Sequence, residues 1–460
     1  MTYQEALAYL AEATNYERVH DAAAMRDITL GPMRLLCHHL GNPQQQYRSI
    51  IVAGTNGKGS VCALLSSVLQ QAGIVTGVYT SPHLTDLRER IRVGPVASDD
   101  DAADWISQRE FAAILQRMQR VVPEVNAAYP HQPLTYFELL TAVAFVYFAQ
   151  RRVQVAVLEV GLGGRLDATN VAEQTISLIS AIGWDHMDVL GQDLAMIAQE
   201  KAGIIKAPHV VIRAPQLPHV AEVLDAVARR HRCRVWAVGR DLGVDVIAHR
   251  PGELRVRVRG TRGTYEELTT SLVGRHQAEH VAMVVGALEA LTDEGVPHQA
   301  LRQGMQAARW PGRLEVVHEQ PTVILDGAHN TSAAQMLKAA VEELWPGRPV
   351  HLLIGMSTDK DLDGMAKMLG PMAASVVCTT SRHPRACAAE KLIDVWMAHS
   401  RLVMAIPDLA DAYTYLVNSV PTDAVVVVTG SLFVVGELRA MVQRIRTQRP
   451  QRPATVVEAS

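Results

Sequence analysis

The sequence predicts an α/β fold in which mostly parallel sheets carry helices on both faces. Short β-branched runs alternate with segments long enough to form helices, as in chains whose parallel strands are joined by helical crossovers. The runs cover residues 50–53, 155–160, 175–182, 209–213, 322–325, 351–354, 375–379 and 424–428. At 460 residues the chain exceeds the size at which a single hydrophobic core stops growing, so we expect two domains.

The pattern of the chain changes at two places, which suggests its domain organisation. Between residues 242 and 272 apolar residues alternate with arginines at a period of two, which predicts a small antiparallel patch. Pro311 and Gly312 are typical of a hinge, and a new series of strands and helices follows them. We predict an N-terminal domain over 1–308, a hinge over 309–313, a C-terminal α/β domain over 314–446 and a disordered tail over 447–460.

Composition and charge argue against several classes of protein. The 44 basic and 47 acidic residues are well mixed and give a net charge of −3, so we expect no nucleic-acid partner and no membrane partner. The five cysteines lack CxxC spacing, which argues against a disulfide framework or a zinc site. The longest apolar stretch, Ala142–Ala149, is too short to span a bilayer, and the N-terminus does not resemble a signal peptide. We expect a cytoplasmic protein that acts on small molecules.

Residues 48–60, RSIIVAGTNGKGS, contain the most informative motif in the chain. An apolar run ends at Gly54, and a glycine-rich turn leads through Lys58 and Ser60 into a helical pattern. Backbone N–H groups in such a turn, the helix N-terminus and the lysine ammonium suit phosphate oxygens. The motif predicts a nucleoside triphosphate site, although its hydroxyl follows the lysine by two positions rather than one. The alternative is a glycine-rich turn without a ligand.

The segment 155–170, VAVLEVGLGGRLDATN, provides a second candidate site. Its apolar residues lead to Glu159 at the carboxyl end of a strand, where open α/β sheets present ligand-binding groups. A carboxylate there can hold Mg²⁺, and the glycines that follow let the backbone turn beside a substrate. Taken alone, such a glutamate is more often a solvated or helix-capping residue. The phosphate motif in the same chain favours the metal site.

The segment 181–206 provides a third candidate site, in a loop and the helix after it. His186 could be a neutral imidazole ligand for a divalent ion. Lys201, if buried, would be neutralised by desolvation and could then react with carbon dioxide. The alternatives are a hydrogen-bonded loop histidine and a solvated lysine at a helix end.

A series of short motifs makes the chain resemble the dihydrofolate synthase/folylpolyglutamate synthase family, which belongs to the Mur ligase superfamily. The motifs are GTNGKGS at 54–60, SPHL and ERI within 81–91, TYFE at 135–138, EVGLGGRLDATN at 159–170, DHMDVLG and EKAGI within 185–204, GRHQ at 274–277, PGR at 311–313, DGAHN at 326–330 and TGSLFVVGE at 429–437. The resemblance implies an ATP-dependent amide ligase of folate metabolism, with an N-terminal P-loop ATPase domain and a C-terminal Rossmann-like domain that closes over it.

The resemblance also implies roles for individual residues. The nucleotide contacts it implies are Gly54, Thr55, Asn56, Gly57, Lys58, Gly59, Ser60, His280, Arg313, Asp326 and His329. The magnesium ligands it implies are Ser81, Glu159 and His186. The residues that would hold the pterin-bearing substrate are Thr135, Phe137, Asp167 and Ala168. The catalytic residues would be Lys58, His186, Arg313 and a carbamylated Lys201.

One position departs from the family pattern, because His280 stands where the family usually has an asparagine that meets the adenine. As cofactors the resemblance implies ATP, Mg²⁺, the carbamylated lysine and K⁺. As partners it implies L-glutamate with dihydropteroate or a reduced folate, bound by a monomer. The family reaction passes through an acyl phosphate.

Three alternatives to this assignment remain. A cell-wall Mur ligase would carry a UDP-sugar-binding domain ahead of the phosphate motif, where about 50 residues precede it, fewer than a domain usually needs. A nucleotide switch or motor would turn over ATP without an amine acceptor. A non-catalytic relative would bind nucleotide only.

Overall fold

A computed structural model describes residues 1–19, 21–26, 28–94, 102–206, 209–291 and 296–448. The chain forms two compact units. Unit 1 comprises Met1–Leu314 and Asn330–Gly347, and unit 2 comprises Glu315–His329 and the chain from Arg348 onward.

Within the described residues, unit 1 is built around a seven-stranded sheet. Its strands are β1 (Arg48–Ala53), β2 (Thr76–Tyr79), β3 (Ile91–Gly94), β4 (Val155–Glu159), β5 (Gln174–Ile179), β6 (Val210–Arg213) and β7 (Arg234–Ala237). They lie in the order β3-β2-β4-β1-β5-β6-β7, and all neighbours are parallel except β2 and β3. The carboxyl ends of β4, β1 and β5 are therefore adjacent at the centre of one sheet edge, where α/β proteins bind ligands.

Helices cover both faces of this sheet. The described helices of unit 1 are α1 (Tyr3–Ala11), α2 (Ala22–Arg26), α3 (Gly31–His39), α4 (Lys58–Gln71), α5 (Gln108–Met118), α6 (Val122–Ala128), α7 (Tyr136–Gln150), α8 (Met187–Leu190), α9 (Leu194–Ala202), α10 (Pro218–Arg230), α11 (His276–Leu291), α12 (His298–Ala307) and α13 (Thr331–Leu344). Successive strand residues point to opposite faces, so Ile51 packs into an apolar cluster with α7, and Ile50 packs into a second cluster with α4 and α11. In the described part of the chain, no helix is long and apolar enough to cross a membrane.

A small antiparallel sheet completes unit 1. Its strands are β8 (Gly243–Arg250), β9 (Glu253–Arg259) and β10 (Thr264–Thr270), in the order β10-β9-β8. Leu254, Val256 and Val258 are buried, whereas the arginines between them lie on the outer face. The antiparallel patch predicted over 242–272 is confirmed.

Unit 2 contains a sheet of six described strands. They are β11 (Glu315–Glu319), β12 (Thr322–Leu325), β13 (Val350–Ile354), β14 (Ala373–Cys378), β15 (Val403–Ala405) and β16 (Val425–Thr429), in the order β11-β12-β16-β13-β14-β15. All neighbours are parallel except the β11–β12 hairpin. Its helices are α14 (Leu362–Leu369), α15 (Ala389–Met397), α16 (Leu409–Ser419) and α17 (Leu432–Gln448).

The predicted α/β class is confirmed, and every predicted β-branched run falls on a strand. The structure adds short strands that lack such a run, among them β2, β3 and β15. Residues 330–347 group with unit 1, whereas the predicted C-terminal domain runs unbroken from 314 to 446, and those domain bounds stay a prediction. Helix α17 continues to Gln448, and residues 449–460 of the predicted tail lie outside the described part of the chain.

Candidate active site

The loop between β1 and α4 leaves the first N–H groups of α4 open to a ligand. Gly57 is the N-cap of α4 at φ +88°, and no side chain caps the helix. Gly54 has φ +145°, and a Cβ there would lie 1.9 Å from Ser180 Oγ, so glycine is required on both counts. Uncapped N–H groups at a helix N-terminus attract anions.

The next loop along the sheet edge holds this phosphate loop in place. The backbone N–H groups of Thr55 and Asn56 donate to Ala181 O at 2.9 and 3.3 Å. The Thr55 hydroxyl both donates to Gly183 O and accepts from Gly183 N, at 3.1 Å each. Asn56 Nδ2 also donates to Ser332 Oγ, at 2.7 Å. The loops after β1 and β5 therefore form one hydrogen-bonded platform.

Two lysines converge on the phosphate loop. Lys58 Nζ donates to Gly54 O at 3.1 Å and to Thr55 O at 3.2 Å, and Lys201 Nζ donates to the same Gly54 O at 2.8 Å. Lys201 is 5% exposed, so it is not the solvated lysine of the alternative interpretation. Burial, followed by the charge of Lys58, lowers the pKa of Lys201 to about 7. A large share of its amine is therefore neutral at neutral pH.

Glu159 is a buried carboxylate at the carboxyl end of β4. Its Oε2 accepts a hydrogen bond of 3.0 Å from the backbone N–H of Ser81, so the structure brings these two predicted magnesium ligands together. Burial raises the pKa of Glu159, and the charges of Lys58 and Arg313 partly oppose that shift. A buried carboxylate of this kind is stabilised by a bound cation, and its hard oxygens suit Mg²⁺.

His186 is the N-cap of α8, at φ +49°, and its side chain is 31% exposed. Its Nε2 lies 3.9 Å from Asp185 Oδ1, so the structure places it beside a carboxylate of the same loop. Among the described residues, no three His, Cys, Asp or Glu side chains come close enough to hold a metal ion by themselves. A magnesium ion here would therefore depend on hydroxyl, water and phosphate oxygens as well as on Glu159.

Two of the predicted pterin-site residues, Phe137 and Asp167, contact the glycine turn after β4. A Cβ on Gly161 would meet the Phe137 ring at 2.7 Å, and the Phe137 ring centroid is 5.8 Å from that of Tyr79. Thr135 is the N-cap of α7, and Ala168 is buried at the start of a short 3₁₀ helix. The Phe137 ring therefore lies against Gly161, two residues after Glu159 along the chain.

Asp167, the fourth predicted pterin-site residue, shapes this turn. Its Oδ2 accepts from the N–H groups of Gly161 and Leu162 at 2.9 and 3.0 Å. Its Oδ1 accepts from the N–H and the hydroxyl of Thr169 at 3.0 and 2.6 Å. Three of these four donors are backbone N–H groups on either side of Asp167, so the carboxylate fixes the backbone of the turn.

His280 and Arg313 lie on other elements of unit 1. His280 is 4% exposed, and its Nδ1 is 2.8 Å from Gln277 Oε1. A Cβ on Gly57 would lie 2.2 Å from His280 Nε2, so the imidazole touches the phosphate loop. The guanidinium of Arg313 donates to Gly312 O at 3.0 Å, and its charge acts on Glu159.

Asp326 and His329 belong to unit 2, in the loop after β12. Asp326 Oδ1 accepts from the N–H of Ala328 at 2.9 Å, and His329 Nδ1 lies 2.9 Å from Gly327 O. Both side chains are held by their own loop at the carboxyl edge of the unit 2 sheet.

Two further residues of this region were not singled out from the sequence. Gln277 Nε2 lies 3.4 Å from Ser60 Oγ, although the two residues are 217 positions apart. Arg92 packs its guanidinium over the Trp310 ring at 5.3 Å, and its charge also acts on Glu159. Gln277 could have been found from the sequence, because it lies within the GRHQ motif. Arg92 lies in a short antiparallel strand, and no motif pointed to it.

Comparisons with known proteins show which proteins this chain is similar to. The family model described as the Mur ligase middle domain matches residues 102–288, and the one described as the Mur ligase, glutamate ligase domain matches residues 312–432. A protein of Bacillus subtilis (strain 168) named dihydrofolate synthase/folylpolyglutamate synthase is 34% identical over 414 residues, which cover 89% of this chain and 94% of that protein. A protein of the same name from Escherichia coli (strain K12) is 32% identical over 445 residues, which cover 96% and 98% of the two chains.

Solved structures show the same likeness. The folylpolyglutamate synthase of Mycobacterium tuberculosis, complexed with ADP and AMPPCP, has a TM-score of 0.86 at 32% identity and covers 96% of this chain and 98% of its own. The E. coli FolC structure in complex with DHPP and ADP has a TM-score of 0.83 at 30% identity and covers 97% and 99%.

Proposed function

Because this chain belongs to the dihydrofolate synthase/folylpolyglutamate synthase family of Mur ligases, we propose that it joins L-glutamate to dihydropteroate, to the γ-carboxylate of a reduced folate, or to both. It is an ATP-dependent carbon–nitrogen ligase. The observation that carries the proposal is the phosphate loop itself: helix α4 begins without a side-chain cap, and Lys58 and the buried Lys201 both donate to Gly54 O of that loop.

The chemistry follows from the poor reactivity of a carboxylate as an acyl donor. A carboxylate oxygen of the pterin-bearing substrate attacks the γ-phosphorus of ATP, which releases ADP and forms an acyl phosphate. The amine of L-glutamate then attacks the acyl carbon, and inorganic phosphate leaves. Most of the rate enhancement comes from positioning the groups and neutralising charge.

Three groups of unit 1 supply that charge neutralisation. The N–H groups at the start of α4 and the ammonium of Lys58 are proposed to contact the phosphates, and Arg313 is proposed to add a second cation. Ser81 and Glu159, with His186, would hold magnesium, which when bound neutralises phosphate charge. Lys58 leaves its two loop carbonyls to reach a phosphate.

Lys201 is proposed to carry a carbamate. Its neutral amine adds to carbon dioxide, forms a C–N bond and releases one proton, and the carbamate nitrogen keeps an N–H that can still donate to Gly54 O. An anionic oxygen group beside Lys58 suits this site better than a second ammonium. Protein equilibrated with ¹³CO₂ should show a carbamate ¹³C signal that is missing from Lys201→Met. The same spectrum for both proteins would contradict the carbamate.

The pterin-bearing substrate is proposed to lie against Phe137, with Thr135, Asp167 and Ala168 shaping the turn around it. His280, Asp326 and His329 are proposed to contact the nucleotide. The K⁺ requirement, the monomeric state and the cytoplasmic location stay predictions.

One assay separates this function from its alternatives. ADP release is measured with dihydropteroate and L-glutamate together and with each alone, and the product is weighed by mass spectrometry. The proposal expects ADP release that depends on both substrates and a product heavier by one glutamyl residue. Release without either substrate would indicate a switch or motor, and no release with any acceptor would indicate a non-catalytic nucleotide-binding protein. Turnover with a UDP-sugar peptide precursor alone would indicate a cell-wall ligase.

A further inference from the structure

A buried chain of three polar side chains runs from the phosphate loop into α11. Gln277 Nε2 lies 3.4 Å from Ser60 Oγ, and Gln277 Oε1 lies 2.8 Å from His280 Nδ1. Ser60, Gln277 and His280 are 2%, 1% and 4% exposed. Helices α4 and α11 already pack through apolar residues such as Leu64 and Val281, so the polar chain is not needed to join them. Buried polar groups of this kind persist where they hydrogen-bond to one another.

The amide of Gln277 can satisfy this chain in two arrangements. In the first, its NH₂ group donates to Ser60 Oγ, and its carbonyl accepts from a neutral His280 that carries its one ring proton on Nδ1. The Ser60 hydroxyl proton is then available to another acceptor. In the second, the amide is rotated by half a turn, so Ser60 donates its proton to the amide carbonyl and the NH₂ group donates to an unprotonated Nδ1. Both lone pairs of Ser60 Oγ are then available.

These two arrangements correspond to two different uses of a hydroxyl in a nucleotide site. A phosphate oxygen needs a donor, which the first arrangement supplies. A magnesium ion needs an oxygen lone pair with the hydroxyl proton directed away from it, which the second supplies. Ser60 lies in the first turn of α4, two residues after Lys58. A neutral imidazole can follow the amide because it carries one proton that either ring nitrogen can hold.

We propose that Gln277, held by His280, is a positioning residue that sets whether the Ser60 hydroxyl donates to a nucleotide phosphate or offers a lone pair to magnesium. This inference rests on the nucleotide site of the proposed function and not on the identity of the acceptor substrate. His280 is suited to the role because it touches both partners: Nδ1 meets Gln277, and Nε2 faces Gly57 of the phosphate loop.

A double-mutant cycle tests the inference without turnover. The dissociation constant of AMPPCP is measured by calorimetry, with and without Mg²⁺, for Gln277→Leu, Ser60→Ala and the double variant. Each single change should weaken magnesium-dependent binding by roughly tenfold, the scale of one lost hydrogen bond. The double variant should bind no more weakly than Ser60→Ala, because Gln277 acts through that hydroxyl. Losses that multiply in the double variant would overturn the inference.

Matched variants separate positioning from a general loss of packing. Ser66→Ala, whose hydroxyl donates to Ala63 O in the same helix, should leave AMPPCP binding unchanged. Gln277→Met keeps the length of the side chain and replaces Gln277→Leu if the leucine variant does not fold. It should show the same loss of magnesium dependence, and unchanged magnesium dependence would overturn the inference.

Replacing His280 tests the other end of the chain. His280→Phe should reduce the magnesium dependence of AMPPCP binding as much as Gln277→Leu does, and this readout is separate from any direct contact of His280 with the nucleotide. Unchanged magnesium dependence of AMPPCP binding in His280→Phe would contradict the role of the imidazole. If AMPPCP binding follows these expectations but no glutamylated product forms, the proposed function fails and the inference stands. If product forms normally in Gln277→Leu with unchanged magnesium dependence, the inference fails alone.

Discussion

At the scale of single residues, the central feature is one carbonyl oxygen that receives two ammonium groups. Lys58 and Lys201 both donate to Gly54 O, at 3.1 and 2.8 Å. Two like charges in a buried site repel each other, and the more buried amine is the one that loses its proton more readily. The same contact therefore holds Lys58 on the phosphate loop and favours the neutral amine of Lys201, which the proposed carbamate requires.

Replacing Lys58 should remove the main side-chain cation of the phosphate loop. We expect Lys58→Ala to remain folded and to lose at least roughly tenfold in turnover, as when one charge-stabilising group is removed from a site. Steady-state kinetics with circular dichroism as the folding check measure this. Lys367→Ala, an exposed lysine of α14 in unit 2, is the control and should keep its activity. Near-normal turnover in Lys58→Ala would contradict the role of the loop.

The low pKa of Lys201 predicts a pH-dependent stability. The unfolded chain binds a proton on this amine up to about pH 10.5, whereas the folded chain releases it near pH 7. The stability of the wild type relative to Lys201→Met should therefore rise by up to about 1.4 kcal/mol per pH unit above pH 7 and be constant below it. Urea unfolding in buffers purged of carbon dioxide measures the difference. A flat difference between pH 7 and 9 would show that the amine stays charged in the folded protein.

At the scale of elements, the start of α4 differs from the starts of the capped helices α1, α5 and α7. Helices α1, α5 and α7 begin with capping boxes, such as Thr135 with Glu138, in which side chains satisfy the first N–H groups. Helix α4 begins at Gly57 without a side-chain cap. Its free donors are therefore available to phosphate, and this is a property of the local sequence.

The antiparallel sheet depends on one buried carboxylate of α11. Glu289 is 2% exposed and accepts hydrogen bonds from the N–H and hydroxyl of Thr261, from Arg262 N and from the hydroxyl of Tyr265. Glu289→Ala would remove these four hydrogen bonds at once, and because Thr261 and Arg262 are exposed, water can replace part of what is lost, so we expect a loss of roughly 1–3 kcal/mol in the free energy of unfolding. Chemical denaturation measures this change.

A surface carboxylate of the same sheet is the matched control for Glu289. Glu266, about half exposed, pairs with Arg257 at 2.6 Å on the outer face. Its replacement by alanine should change stability by less than about 1 kcal/mol. Equal losses for the two variants would show that the hydrogen bonds to Glu289 do not anchor the sheet.

How much the sequence could predict depends on the range of the interactions. The phosphate loop, the strand that ends at Glu159 and the period-two patch are local patterns, and each was predicted. The contact between Ser60 and Gln277 joins residues 217 positions apart, and the burial of Lys201 depends on how α9 packs against the loop after β1. Such contacts follow from tertiary packing, which no local pattern encodes. Strand β3 was missed because its four residues include the charged Arg92.

At the scale of the whole molecule, the chain combines two α/β units of different character. Unit 1 contains the phosphate loop, the buried Glu159 and Lys201, and the Phe137 ring against Gly161. Unit 2 contains its own mostly parallel sheet, with Asp326 and His329 after β12, and all described strands of that sheet lie within residues 312–432, which the glutamate ligase domain matches. The central claim is that this chain activates a carboxylate as an acyl phosphate before glutamate attacks it.

The fate of the carboxylate oxygen tests that claim most directly. Dihydropteroate labelled with ¹⁸O in its carboxylate is incubated with ATP, Mg²⁺ and L-glutamate, and the released phosphate is analysed by mass spectrometry. Because a carboxylate oxygen attacks the γ-phosphorus and leaves with it, each phosphate released should carry one ¹⁸O atom. Glutamylated product formed together with unlabelled phosphate would contradict the acyl-phosphate mechanism.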